Sequence, residues 1–193
     1  MKNKFLTSVF ILFVLIFSSC VTSKNIENKS TSKVFITNSK SINILSLECI
    51  AKNIDNIFLL SAKFGDSKFN VLAYIQANEN EFYIELLNDF GSTMGSLIYE
   101  NNLIDLTSDF IPKKLKGEYI INDLQLVFYK TEFLKQNYEN AKLNFICTNK
   151  NEIEERFIYN GKKLIEKAEI QKDKITITNY LRNYEYTLTE NTL

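Results

Sequence analysis

The chain has no histidine and no tryptophan, one proline, five glycines and three cysteines among 193 residues. Without histidine there is no His-dependent catalytic triad, no imidazole metal ligand and no ordinary proton shuttle near neutral pH. Neither sign of charge is in excess, with 23 basic against 23 acidic residues. A chain this neutral has no broad basic field with which to hold nucleic acid. At 45% hydrophobic and 24% charged it falls in the globular range, and its length suggests one domain. The balance of charge is uneven at the start. Residues 1–19 hold Lys2 and Lys4 and no acid, which leaves 21 basic against 23 acidic residues after them, a net of −2.

That start reads as an address. Lys2 and Lys4 precede nine unbroken apolar residues, Val9 to Phe17, and then Ser18-Ser19-Cys20. This is the charged, apolar and small-residue order of a secretory signal. The apolar run is shorter than the roughly 20 residues a membrane-crossing helix needs. Ser18-Ser19-Cys20 also resembles the bacterial lipobox, which implies cleavage after residue 19 and lipidation of Cys20. Residues 20–33 then form a polar stretch with only Val21 and Ile26 apolar after the Cys. Such a stretch buries too little to offset its ordering entropy and is expected to be a tether. Fully extended it spans roughly 40 Å at about 3.3 Å per residue. Val21, where an Asp would signal inner-membrane retention, points to the outer membrane of a Gram-negative cell, on its periplasmic face. A single folded domain is expected over 34–193.

The body alternates with a period of two. Runs rich in β-branched and aromatic residues cover Ile57–Phe64, Phe69–Ala77, Glu81–Leu87, Met94–Glu100 and Leu103–Thr107. A second set covers Leu143–Thr148, Ile153–Tyr159, Lys163–Ile170, Lys174–Thr178 and Tyr184–Leu188, while Leu45, Leu47 and Cys49 share one parity. Asn101-Asn102 and Asn160-Gly161 are hairpin signals, because Asn and Gly accept positive φ. About 9–11 strands in sequential hairpins imply a mainly β fold, an antiparallel sheet curled on itself. Glu118–Tyr138 breaks the rhythm. Ile120, Leu124, Val127 and Phe128 fall at helical spacing, and Leu134 and Tyr138 extend the stripe. A helix or helix pair inserted here either lids a ligand or plugs the core. Phe69–Ala77 is apolar on both faces, so something covers each of them. Leu72, Tyr74, Phe82 and Ile84 of the strands, with Ile120, Leu124, Val127 and Phe128 of the helix, are the candidates to line a cavity.

Catalytic signals are absent from the pattern. Asp89-Phe90-Gly91 lacks every companion of a kinase site and reads as a turn. Glu154 and Glu155 are adjacent and point to opposite faces of a strand, which does not make a paired-carboxylate site. No run of oxygen ligands has calcium-loop density, and no metal or cofactor is expected. Cys49 and Cys147 share parity with apolar neighbours and point inward, either as a disulfide or as two separate buried thiols. A Cys nucleophile without His to activate it is disfavoured. Phe110, Ile111, Lys113, Lys114 and Lys116 mix apolar and cationic groups, as a membrane-resting loop, a cavity mouth or a solvated loop would.

From Phe69 to Leu188 the chain resembles a bacterial lipoprotein family known as domain of unknown function 3261. The resemblance rests on Phe90-Gly91, Leu97–Asn102, Phe110-Ile111-Pro112, Asn122–Leu126, Tyr159-Asn160-Gly161 and the closing strands. That family is similar to the lipoprotein-localisation half-barrels, a periplasmic carrier and its outer-membrane receptor. The resemblance implies an unclosed half-barrel with a helical lid over an acyl-binding cavity. The expectation is a membrane-anchored, non-enzymatic lipoprotein that binds or transfers a lipid or acylated cargo. The alternative is an outer-membrane interaction protein with a closed core and an unidentified protein partner.

Overall fold

The computed structural model describes residues 33–108, 111–112 and 115–190. Cys20, Phe110, Lys113 and Lys114 lie outside the described residues. Among those described, ten strands form one antiparallel sheet that does not close. Its first half is a meander of β3 (Ile54–Phe64), β4 (Ser67–Ala77), β5 (Phe82–Leu87), β6 (Thr93–Glu100) and β7 (Leu103–Ser108). Its second half is β8 (Asn144–Lys150), β9 (Ile153–Asn160), β10 (Lys163–Ile170), β11 (Lys174–Asn179) and β12 (Tyr184–Glu190). The halves join where β12 pairs with β3, so the spatial order is β7-β6-β5-β4-β3-β12-β11-β10-β9-β8. First and last strands of the sheet sequence thus meet at its centre, and β7 and β8 are its free edges.

The turns follow their residues. Asn101 and Asn102 adopt φ of 50° and 61° between β6 and β7, the doubly left-handed turn that matches strand twist. Between β5 and β6 the Asn88 side chain accepts from the backbone N–H groups of Phe90 and Ser92. The Asp-Phe-Gly triplet is therefore a turn, and Phe90 at its tip is 93% exposed.

Of the two readings of the insertion, the helix pair is the one the structure takes: α1 (Gly117–Phe128) and α2 (Thr131–Asn140). They break at Tyr129 and Lys130, whose backbones are extended. The cause lies before the sheet. A short hairpin of β1 (Lys33–Phe35) and β2 (Ser41–Asn43) leads into a single 3₁₀ turn, Leu47–Cys49. The expected strand through Leu45, Leu47 and Cys49 is thus replaced by that turn, because Ser46 caps it and its backbone turns towards the helices. Ile50 then pairs with Tyr129 as an isolated bridge. Ala51 N–H donates to the Phe128 carbonyl and Lys130 N–H to the Cys49 carbonyl, each at 2.9 Å. The extended linker between the helices is occupied by this strap. Lys33, counted with the tether, opens β1.

The core sits between the concave face of the sheet, both helices and the strap. Val71, Ala73, Ile75 and Ala77 of β4 point into it, as do Phe82, Ile84 and Leu86 of β5. Close approach is needed at Gly117, where a Cβ would lie 2.7 Å from Ile104 Cγ2. That glycine lets the first turn of α1 rest on β7.

Candidate functional site

An apolar cavity lies beneath the N-terminal half of α1. Its wall is Leu60 and Ala62 of β3, Ala73 and Ile75 of β4, Ile84 and Leu86 of β5 and Tyr186 and Leu188 of β12. Ile120 and Leu124 of α1 form its roof, and Ile111, Pro112 and Leu115 of the preceding loop border it. The cavity volume is about 70 Å³ within a void of about 670 Å³ that includes its opening. The smaller figure is room for roughly five water molecules, yet a cavity so lined gives water few partners and stays dry.

The sequence candidates divide by face. Ile84, Ile120 and Leu124 line the cavity, and Ile111 borders it. Phe82 is buried beside it with its ring 6.2 Å from that of Phe128. Val127 and Phe128 face a second opening at the other end of α1. Leu72 and Tyr74 do not belong with these residues, and their candidacy for the cavity is corrected. Strand alternation sends Val71, Ala73 and Ile75 inward, so Leu72 and Tyr74 lie on the convex face. There Leu72 stands between Leu59 and Leu87, and the Tyr74 hydroxyl donates to Asp55 at 2.9 Å. The second face of β4 is thus half-buried by its neighbours rather than covered by a helix. Lys116 is exposed and immediately precedes α1. Cys49 and Cys147 are both free thiols. Burial pushes each of them up, Cys147 with help from the Glu154 carboxylate, and Lys130 opposes the rise at Cys49. Neither is poised as a thiolate.

Sequence reasoning did not anticipate the polar interior. Asp123 of α1 and Glu166 of β10 are each 1% exposed and interact side chain to side chain. A bulge after Leu164 turns both Ile165 and Glu166 inward. Asp123 Oδ2 accepts from the Tyr184 hydroxyl at 2.6 Å and the Tyr186 hydroxyl at 3.4 Å. Asn179 Nδ2 donates to Glu166 Oε2 at 3.4 Å, whereas Glu166 Oε1 is buried without a donor. An orphaned carboxylate oxygen is costly, and a proton there removes the cost. Burial raises Asp123 to about 6, against the hydrogen bonds it accepts and the charge of Arg182. Burial and then the Asp123 charge hold Glu166 well above the usual carboxylate range. Both shifts run in the direction that keeps the pair from carrying two full charges.

Other buried polar groups tie α1 and α2 in place. Gln125 accepts from Leu45 N–H at 3.0 Å and donates to the Leu45 carbonyl at 2.9 Å. Asn137 does the same to Asn43, at 3.3 and 2.7 Å. Each amide imitates one rung of a sheet and holds the strap to a helix. Arg156 of β9 donates Nη1 to the carbonyls of Leu126 and Tyr129 at 2.8 and 2.9 Å. It thereby satisfies the C-terminal end of α1 and complements its dipole. Glu154 pairs with Arg156 at 2.5 Å on the inner face, and Glu155 pairs with Lys167 at 2.8 Å on the outer. Among the described residues no group of three or more Cys, Asp or Glu gathers as metal ligands.

Residues 59–192 match the family described as "Protein of unknown function (DUF3261)". The chain belongs to the DUF3261 family. The matched span runs from β3 to beyond β12, and so includes both helices and the cavity. No curated protein matches this DUF3261 chain.

Proposed function

We propose that this protein binds or hands on a lipid or acylated cargo, with an acyl chain in the cavity roofed by α1. The single observation that carries the reading is the lining, apolar from strand wall to helical roof and bordered by Ile111, Pro112 and Leu115. Apolar ligands gain about 25 cal/mol for each Å² they remove from water, so such a recess favours alkyl chains over polar metabolites. The signal-like start and Cys20 support an exported, lipid-anchored protein of the outer membrane, facing the periplasm. The missing histidine and the un-ionised thiols agree with binding rather than catalysis.

The resting volume is small, which also suits a closed core that serves only to present the sheet to a protein partner. The two readings separate in one experiment. The full chain, extracted from membranes, is analysed by native mass spectrometry and titrated with a dansylated C11 fatty acid. Co-purified acyl species and saturable probe uptake, abolished in Ala73→Phe, are expected. Reproducibly empty protein that leaves the probe dark would overturn cargo binding in favour of the closed core.

A further inference from the structure

The C-terminal end of α1 borders a second cleft, of about 460 Å³, which the acyl reading does not use. Its walls include Phe58 of β3, Val127 and Phe128 of α1 and Ile175 of β11. Arg156 lines it and is 5% exposed. A guanidinium carries five N–H donors. Nε is engaged by Glu154, and Nη1 by two carbonyls. Nη2 makes no hydrogen bond with any described residue and is the donor left for the cleft. Three carboxylates, Asp55, Glu154 and Glu190, line the cleft beside its three cations, and each already accepts a hydrogen bond. Glu154 holds Arg156 and the Cys147 thiol, and Glu190 accepts from Asn56. Asp55 accepts from Tyr74 on the convex face. Lys52 and Lys172, which also line the cleft, form no ion pair with any described residue.

We infer that this cleft is a carboxylate site, in which Arg156 Nη2 binds the head of a monocarboxylate and the apolar walls take its chain. Nη2 of this buried cation offers N–H groups that each donate a charge-assisted bond to one carboxylate oxygen. Glu154, beside the guanidinium, opposes a dianion such as a phosphate monoester and so selects a single charge. Lys52 and Lys172 steer the anion inward, an attraction that salt screens. The inference does not rest on cargo occupying the cavity beneath Ile120 and Leu124.

The test uses the full chain and octanoate, followed by backbone amide shifts in NMR. Octanoate is expected to move the amides of Lys52, Asn53, Gln171 and Lys172, while octyl glucoside leaves them in place. Glu154→Gln removes the opposing charge and is expected to tighten octanoate several-fold. Lys52→Ala with Lys172→Ala weakens it several-fold and flattens its salt dependence. Arg156→Lys keeps the charge without Nη2 and is expected to weaken binding at least tenfold. Should Arg156→Lys not fold, the Glu154 and lysine variants decide, and no change in either sinks the proposal. It is equally overturned if octyl glucoside moves the same amides, if octyl phosphate binds more tightly than octanoate, or if octanoate moves only amides around Ile84 and Leu124.

Discussion

Replacing Asp123 by Asn should stabilise this protein at neutral pH, although it removes a buried and hydrogen-bonded residue. The carboxyl titrates at about 6 in the folded chain against an ordinary 3.8. A raised carboxyl pKa means that the folded state holds the proton more tightly than the unfolded chain. Its stabilisation is therefore complete below about pH 4 and is lost as pH rises through 6. At 1.36 kcal/mol per pH unit the loss amounts to about 3 kcal/mol. Glu166 is raised as well and adds loss of the same sign from its ordinary 4.5 upward. The groups facing the pair come from every adjoining element: Asn122 of α1, Tyr138 of α2, Asn179 of β11, Tyr184 and Tyr186 of β12, and Arg182 of the turn between them. All but Arg182 are neutral donors or acceptors, and they cannot hold two negative charges. In Asp123→Asn the Oδ1 oxygen still accepts from Tyr184 and the new amide donates to Glu166. A neutral acceptor costs about 1 kcal/mol of the former bond. The variant should thus exceed the parent by about 2 kcal/mol at pH 7.5 and lose that advantage by pH 4. Urea unfolding at several pH values reads this out, by far-UV circular dichroism or tyrosine emission, since the chain has no tryptophan. A variant whose stability falls between pH 4 and 6.5 as steeply as the parent's would refute the raised titration of Asp123.

Gln125→Leu keeps the volume of the side chain and orphans the Leu45 N–H, while the Leu45 carbonyl keeps the Tyr99 hydroxyl at 3.0 Å, for a loss of about 1–3 kcal/mol. Hydrogen exchange should then accelerate at Leu45, while β8 to β12 stay protected. Gly95→Ala places a Cβ 2.6 Å from Ser108 Cβ and 2.9 Å from the Thr107 carbonyl. The expected cost is about 1–3 kcal/mol in urea unfolding. The same substitution at Gly91, where nothing lies within 4 Å of the new Cβ, strains only a φ of 75° and should cost less. Cys49 and Cys147 should react with Ellman's reagent more slowly in the native chain than in urea at pH 8, because burial keeps both protonated. Equal rates would contradict that burial.

The strands were legible because their signal is local. A period of two with Asn or Gly at the turns located all ten strands of the sheet to within a few residues, from Ile54–Phe64 to Tyr184–Glu190. The hairpin Lys33–Asn43 was not legible, since three-residue strands leave no period to read. A helix pair is one of the two readings of this stretch, but the place of its break, at Tyr129, was not legible for another reason. It is imposed by Cys49 and Ala51, about 80 residues away in sequence, and nothing in Phe128-Tyr129-Lys130 announces it. The cavity roof was half visible, as Ile120 and Leu124 form one stripe. The assignment of Leu72 and Tyr74 failed because a strand with two apolar faces gives no sign of which is concave. The buried polar residues of α1 did carry a signal. With Ile120, Ile121, Leu124, Leu126, Val127 and Phe128 spread around α1, no face is left for solvent, and Asn122, Asp123 and Gln125 must be interior.

That apolar surround also fixes how the roof behaves. Along its length α1 is tied to the sheet by Asp123 through Tyr184 and Glu166, to the strap by Gln125, and at its C-terminus to β9 by Arg156. Lifting it exposes a buried carboxyl pair, a buried amide and a guanidinium together, each costing roughly 1–3 kcal/mol when left unsatisfied. Its N-terminal turn has no such tie. Lys116 gives no side-chain cap, and Arg182 rests 4.0 Å over the Tyr119 ring at the surface. Access to the cavity is therefore cheapest beside Ile111, Pro112 and Leu115, with the helix left in place. Asp123→Asn separates this route from a swinging helix. It keeps the neutral bonds, so uptake of the dansylated fatty acid at pH 7.5 should be unchanged if the loop admits the chain. A helix that swings would admit it more slowly, in proportion to the added stability of about 2 kcal/mol, or roughly thirtyfold. A slowing of that size would transfer the entrance from the loop to the helix.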